Sequence, residues 1–104
     1  MYEVYTIESF DKKFLKLSYE EQRRIENIYK QLRENPYVGD QLRYKFLREK
    51  RLDEKRIYYL VYDDLNAVLI VGISDKKTQK ETINQIVNFF DDYRLYIEKL
   101  LKQD

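Results

Sequence analysis

The stretch EKRIYYLVYDDLNAVLIVGISDKK, Glu54 to Lys77, decides how this chain folds. Arg56–Tyr62 and Ala67–Ile73 are rich in Ile, Val, Leu and Tyr, and Asp63-Asp64-Leu65-Asn66 between them is turn chemistry. The two segments read as paired strands. On the first, Ile57, Tyr59 and Val61 face one way and Tyr58, Leu60 and Tyr62 the other, so both sides are apolar. A strand that is apolar on both sides needs cover on both sides. The rest of the chain must supply that cover.

Upstream, Tyr2 to Ile7 alternates bulky and polar residues and reads as a first strand. Phe10, Phe14 and Leu17 recur at helical spacing. Ser18 with Glu21 has the capping-box pattern that opens a second helix, which presents Ile25, Ile28, Tyr29 and Leu32 on one face and stops before Asn35-Pro36. Tyr44 to Arg48 predicts a further strand, and the charged run REKRLDEK reads as a turn or an extension of the hairpin. Downstream, Thr78 with Glu81 repeats the capping-box pattern. Ile83, Ile86, Val87, Phe90, Tyr93, Ile97, Leu100 and Leu101 follow as one stripe. A single helix over 78–102 would be about 36 Å long, longer than a small domain is wide, so its far end is expected to project or to pack on a partner.

These elements predict an α+β domain spanning 1–104. A β-α-α-β-β-β core over 1–77 forms a small, mainly antiparallel four-stranded sheet with a helical hairpin packed on it, and a long amphipathic C-terminal helix occupies 78–102. One hundred and four residues suffice for one core burying roughly 65% of the unfolded surface. The chain has no histidine and no cysteine, which excludes disulfides, thiol nucleophiles and imidazole catalysis, and no acidic cluster has metal-ligand spacing. No cofactor or metal is therefore expected. The opening MYEVYTIESF lacks a basic segment followed by an apolar run, and no stretch approaches membrane-spanning length, so a soluble cytoplasmic protein is expected. Low Gly and Pro with abundant Lys, Glu, Arg and Tyr fit a thermophile's protein.

Net charge is +1, so any electrostatic argument rests on where the charges lie. Between Gln41 and Arg56 seven cations (Arg43, Lys45, Arg48, Lys50, Arg51, Lys55, Arg56) stand against three carboxylates, a local balance of 7 − 3 = +4. Interleaved with Tyr44, Tyr58 and Tyr59, they offer phosphate contacts beside rings that stack on bases. A solvated strand edge, guarded by its charges against edge-to-edge pairing, accounts for the same residues. Lys76 and Lys77 lie near the start of the last helix, where they oppose its dipole unless an anion is bound.

The order of strand, two helices, NPYVGDQLRYKFL and KRIYYLVYDDLNAVLIVGISDKK resembles the RelE/ParE toxin superfamily over residues 1 to about 85. The positions that carry the likeness are Asn35-Pro36, Gly39 with Leu42, the basic 43–51 segment, Arg56 with Tyr59, and Val71-Gly72 before Lys76-Lys77. The resemblance implies a RelE-like toxin: a metal-independent endoribonuclease that cuts mRNA on the ribosome by 2′-hydroxyl attack on the adjacent phosphate and is neutralised by a cognate antitoxin. It implies catalytic roles for Arg56, Lys50 and Arg51, and RNA contacts from Arg43, Lys45, Arg48, Lys76, Lys77 and Tyr58. Ser74 stands where the pattern has a late basic residue, and Lys80 near where it has a tyrosine. These departures favour the alternative, a RelE/ParE-fold protein without nuclease activity, either a ParE-like inhibitor of a protein target or a binding domain. A homodimer through the C-terminal stripe is a further partner reading.

Overall fold

A computed structural model describes residues 1–102, and the last two positions of the expected 1–104 domain lie outside them. The decisive hairpin is β4 (Lys55–Tyr62) and β5 (Ala67–Asp75), joined by a 3-10 turn at Asp63–Leu65. Asn66 closes the turn in the left-handed conformation (φ 49°), which a short amide side chain tolerates. β1 (Glu3–Thr6) pairs parallel to β5, while β3 (Tyr44–Leu52) pairs antiparallel to β4 and β2 (Asp40–Leu42) antiparallel to β3. The sheet order is β1-β5-β4-β3-β2. The fold is thus α+β as expected, with a fifth strand, β2, where four were predicted. Three residues around Gly39 and Leu42 are too few to show a period of their own. REKRL belongs to the hairpin, since β3 runs on to Leu52 and only Asp53-Glu54 turn.

Both faces of the hairpin are covered. α1 (Glu8–Phe14) and α2 (Tyr19–Glu34) lie on one face, where Phe10, Ile25 and Leu32 bury against Ile57, Tyr59, Val68 and Ile70. α3 (Gln79–Asn88) and α4 (Phe90–Leu101) lie on the other, where Ile83, Ile86 and Ile97 meet Tyr58, Leu60, Leu69 and Val71. Each fully buried Leu, Ile or Val stabilises by about 1.5–3 kcal/mol relative to exposure, so neither face could be left to water. The Ser18–Glu21 capping box forms in both directions. The Thr78–Glu81 box does not; instead Thr78 donates from its backbone N–H and its hydroxyl to Asp75 Oδ1, both at 3.0 Å.

The expected single helix over 78–102 is two helices, broken at Phe89 (φ −109°, ψ 16°). Phe89 donates its N–H to Ile86 O at 3.1 Å, a tightened last turn that redirects the chain. A straight helix would have carried Ile97 off the sheet; the break returns it to the core at 0% exposure. The end of the segment therefore covers its own sheet. Arg94 fixes α4 to the β4–β5 turn with a two-pronged bond to the Asp64 carboxylate, at 2.6 and 3.0 Å. No helix of the described residues is long and apolar enough to cross a membrane.

The two glycines make opposite demands. A Cβ on Gly39 would lie 2.4 Å from Glu49 O and 2.6 Å from Tyr59 Oη, whereas one on Gly72 would meet Ile86, Thr82 and Tyr58 at 3.6 Å, ordinary contact. Gly39 also donates its N–H to Tyr59 Oη, which donates in turn to Pro36 O. Gly39→Ala is expected to cost about 1–3 kcal/mol through overpacking, while Gly72→Ala is neutral or stabilises by up to about 1 kcal/mol. Urea unfolding of both variants measures this, and equal losses would contradict it.

Candidate anion-binding cleft

The exposed end of the β3–β4 hairpin and the loop after β5 enclose an open cleft of about 470 Å³. Arg51, Arg56, Lys76 and Lys77 supply its cations, and Asp53, Glu54 and Asp75 its carboxylates. Strand register brings the parts together. Arg51 is directly opposite Arg56, and Arg56 directly opposite Ser74, so the two arginines and the serine stand in a row across β3, β4 and β5. Like charges directly opposite in an antiparallel pair repel. An anion between them would relieve that repulsion. Two of the three carboxylates are already engaged: Asp53 pairs with Arg24, and Asp75 caps α3. Hydrogen bonds from the Thr78 backbone N–H and then its hydroxyl hold the Asp75 carboxyl below its usual range, so it stays ionised and unsuited to take up a proton.

Arg56 is 5% exposed, and its Nε is buried without a hydrogen bond. Its counter-charge is Glu49, whose Oε1 lies 3.5 Å from that Nε and which is itself buried. Gln79, the first residue of α3, donates to both Glu49 oxygens at 2.9 and 3.0 Å. Arg56 is thus held from behind by an ion pair that α3 steadies, and its place in the cleft wall needs no exposed flexible stem. Beside it, Tyr58 is fully buried and its hydroxyl shares a 2.7 Å hydrogen bond with Ser74 Oγ. Burial pushes the Tyr58 hydroxyl up from its ordinary pKa, so it is neutral.

The remaining sequence candidates divide. Lys76 and Lys77 are in the cleft with Arg56 and Arg51. Lys50 is not: it pairs in register with Ile57, whose side chain belongs to the α2 face, and it lines a separate groove beside Arg24. Neighbouring strand residues point to opposite faces, so Lys50 and Arg51 cannot act as one pair. Arg48 donates to Gly39 O and Lys45 O, and both Arg48 and Lys45 lie over the Tyr37 ring, at 5.1 and 5.4 Å from its centroid. Arg43 is at a left-handed position (φ 48°) and donates to Asn84. Tyr58 and Tyr59 are fully buried, which removes both as stacking platforms. Tyr44 is exposed and packs with Phe46 and Phe90, with centroids 5.1–5.4 Å apart. The residues the sequence reading passed over are Glu49, Gln79, Asp53 and Asp75. For Glu49 a signal existed, because Leu47, Glu49 and Arg51 alternate on one face of β3. No group of three or more acidic residues among those described could hold a metal ion.

The isolated RelE toxin of E. coli superposes with a TM-score of 0.65 at 16% identity, over 83% of this chain and 99% of that one. This chain has the RelE fold. An archaeal RelE–RelB complex from Pyrococcus horikoshii matches with a TM-score of 0.62 at 21% identity, over 72% of this chain and 94% of that one. A RelBE toxin–antitoxin complex from Mycobacterium tuberculosis matches with a TM-score of 0.62 at 20% identity, over 72% and 91% of the two chains. No protein-family model and no curated protein matches the sequence. Within the RelE fold the cleft falls at one end of the central hairpin. Its β4–β5 turn marks the other, about 20 Å away along β4.

At that other end Asp63 accepts hydrogen bonds from Tyr37 at 2.6 Å and Tyr2 at 2.7 Å. Those bonds, Tyr37's first, hold the Asp63 carboxyl below its usual range, while burial and the bond to Asp63 push the Tyr37 hydroxyl up to about 12. A depressed acid contributes stability above its unfolded pKa and loses it as pH falls through the folded value. A tyrosine with a raised pKa loses its contribution as pH climbs from 10 through about 12. Melting temperature is expected to fall on both sides, with Asp63→Asn lowering it at pH 7 and flattening the acid limb. A constant gap between wild type and Asp63→Asn from pH 3 to pH 7 would contradict this.

Proposed function

We propose that this chain is a RelE-like toxin, an mRNA endoribonuclease acting on the ribosome without a metal and restrained by an antitoxin. The observation that carries the reading is a buried arginine, Arg56, held in a RelE-fold cleft beside Arg51, Lys76 and Lys77. In the reaction the RNA 2′-oxygen attacks its own 3′-phosphate. The bond from phosphorus to the 5′-oxygen breaks, the 2′-proton is lost, and the leaving oxygen gains a proton, giving a 2′,3′-cyclic phosphate and a 5′-hydroxyl end. The charge that builds on the non-bridging oxygens is what fixed cations stabilise, and they do so best when water is displaced and no reorganisation is needed. Arg56 meets that condition because Glu49 and Gln79 hold it in place. Arg51, Lys76 and Lys77 are exposed and would gather and orient the strand. A protein partner is supported by the Tyr44–Phe46–Phe90 cluster, whose Tyr44 is 42% and Phe46 37% exposed. Solved structures of the same fold include a complex of RelE with RelB.

The second reading is a RelE-fold protein that binds without cutting, as an inhibitor of a protein target or as an interaction domain. Two observations favour it: both tyrosines next to Arg56 on β4 are buried, and Tyr58 is tied to Ser74. Controlled expression in a bacterial host, with the 5′ ends of its mRNAs mapped, separates the two readings. The nuclease predicts growth arrest with new ends inside translated codons, reduced about 10²-fold or more by Arg56→Ala. Because that change leaves Glu49 buried without its counter-charge, Lys77→Ala serves as the fold-neutral companion and is expected to weaken cleavage with no loss of thermal stability. Arrest with intact messages would overturn the nuclease in favour of the inhibitor, and normal growth of a folded protein would leave the binding domain.

A further inference from the structure

Lys50 faces away from the cleft, and its surroundings form a site of their own. A groove of about 270 Å³ lies between α2 and β3. Its polar lining is Arg24, Asn27 and Gln31 from α2 with Lys50 and Arg51 from β3, over a floor of Ile28 and Leu52. Three cations and two amides line it, and no carboxylate does. In a chain whose net charge is only +1, that lining is locally positive. Arg24 is paired with Asp53, so the groove's unpaired charge comes from Lys50 and Arg51. Arg51 lines both the groove and the cleft. The two cavities therefore meet at one exposed side chain on the end of β3, and the cations Lys76, Lys77, Arg56, Arg51, Lys50 and Arg24 form a track that passes from one face of the sheet to the other.

We propose that the groove is a second anion subsite for single-stranded RNA, receiving the phosphate and sugar of a neighbouring nucleotide while the cleft holds the scissile one. The strand turns over the end of β3 at Arg51. Lys50 and Arg51 are adjacent in the chain, about 3.8 Å apart at Cα, but their side chains diverge to opposite faces, so each serves a different phosphate. Exposed Asn27 and Gln31 each carry an amide N–H₂ that can donate, which suits a phosphate oxygen or the ribose 2′-oxygen. With no ring in the lining of either cavity, the track grips backbone and sugar and is indifferent to base identity.

This inference rests on the cleft as an RNA site, and binding measurements keep the two separable. The probes are fluorescein-labelled 2′-O-methyl oligoribonucleotides of two and eight nucleotides, which cannot be cleaved, titrated by anisotropy at low ionic strength. Lys50→Ala and Gln31→Ala are expected to weaken the octamer several-fold and leave the dimer unchanged. For Lys50→Ala the slope of log affinity against log salt falls by about 0.7, one single-strand phosphate contact. Lys77→Ala is expected to weaken both probes. If Lys50→Ala and Gln31→Ala bind the octamer like wild type while Lys77→Ala does not, the groove is no subsite and the cleft stands. If wild type binds neither probe, the cleft reading falls as well. If Lys50→Ala weakens binding of a labelled polyglutamate peptide but not of the octamer, the groove belongs to an acidic protein segment and the RNA proposal is overturned.

Discussion

The rest of the structure depends on the burial of β4 and β5 on both faces. Ile57, Tyr59 and Val61 must leave water on one side, and Tyr58 and Leu60 on the other. One helical pair cannot serve both. α1 and α2 therefore take the first face, and the C-terminal segment must fold back to take the second, which is why it breaks at Phe89 and does not run straight. Once both faces are covered, access to the central hairpin remains at its ends. At one end Asp63 and Asp64 are engaged by Tyr2, Tyr37 and Arg94. At the other stand Arg56, Arg51 and the two lysines. The cleft is where the packing leaves room for it.

Burial also explains why Arg56 differs in kind from the chain's many surface cations. An exposed pair such as Lys12 with Glu8 contributes little, because water screens it. A buried guanidinium with an unbonded Nε is costly to keep, by roughly 1–3 kcal/mol for the unsatisfied donor, and it persists only where its surroundings hold it. Glu49 supplies the counter-charge, and Gln79 holds Glu49, so the first turn of α3 is mechanically part of the cleft wall. A buried charge held by fixed partners at the wall of an open cavity is preorganised to meet an opposite charge.

Much of this was legible in the sequence, and the exceptions have physical causes. Two-sided apolarity in residues 56–62 correctly required cover on both faces, and Ser18 with Glu21 marked a helix start. Thr78 with Glu81 has the same spacing, yet Asp75 outcompeted it, because a carboxylate three residues before the first turn reaches the same N–H. The break at Phe89 was silent, since Val87, Phe90, Tyr93 and Ile97 keep helical spacing across it and neither Pro nor Gly marks the site. In the site, Arg56, Arg51, Lys76 and Lys77 were named from sequence and lie together. Lys50 was grouped with Arg51 through the family resemblance, where strand alternation separates them. Tyr58 and Tyr59 were offered as stacking rings, but tyrosines at the centre of a doubly covered sheet are core.

We propose that the end of the hairpin around Arg56 is where this protein meets its anionic ligand. Amide chemical shifts of the isotope-labelled protein, followed while the uncleavable two-nucleotide probe is added, test it most directly. The account predicts that the shifts concentrate at Arg51 to Arg56 and Asp75 to Gln79, with the indole-free core and the β4–β5 turn unmoved. Shifts confined to α4 and the Tyr44–Phe46–Phe90 cluster, or none at all, would contradict it.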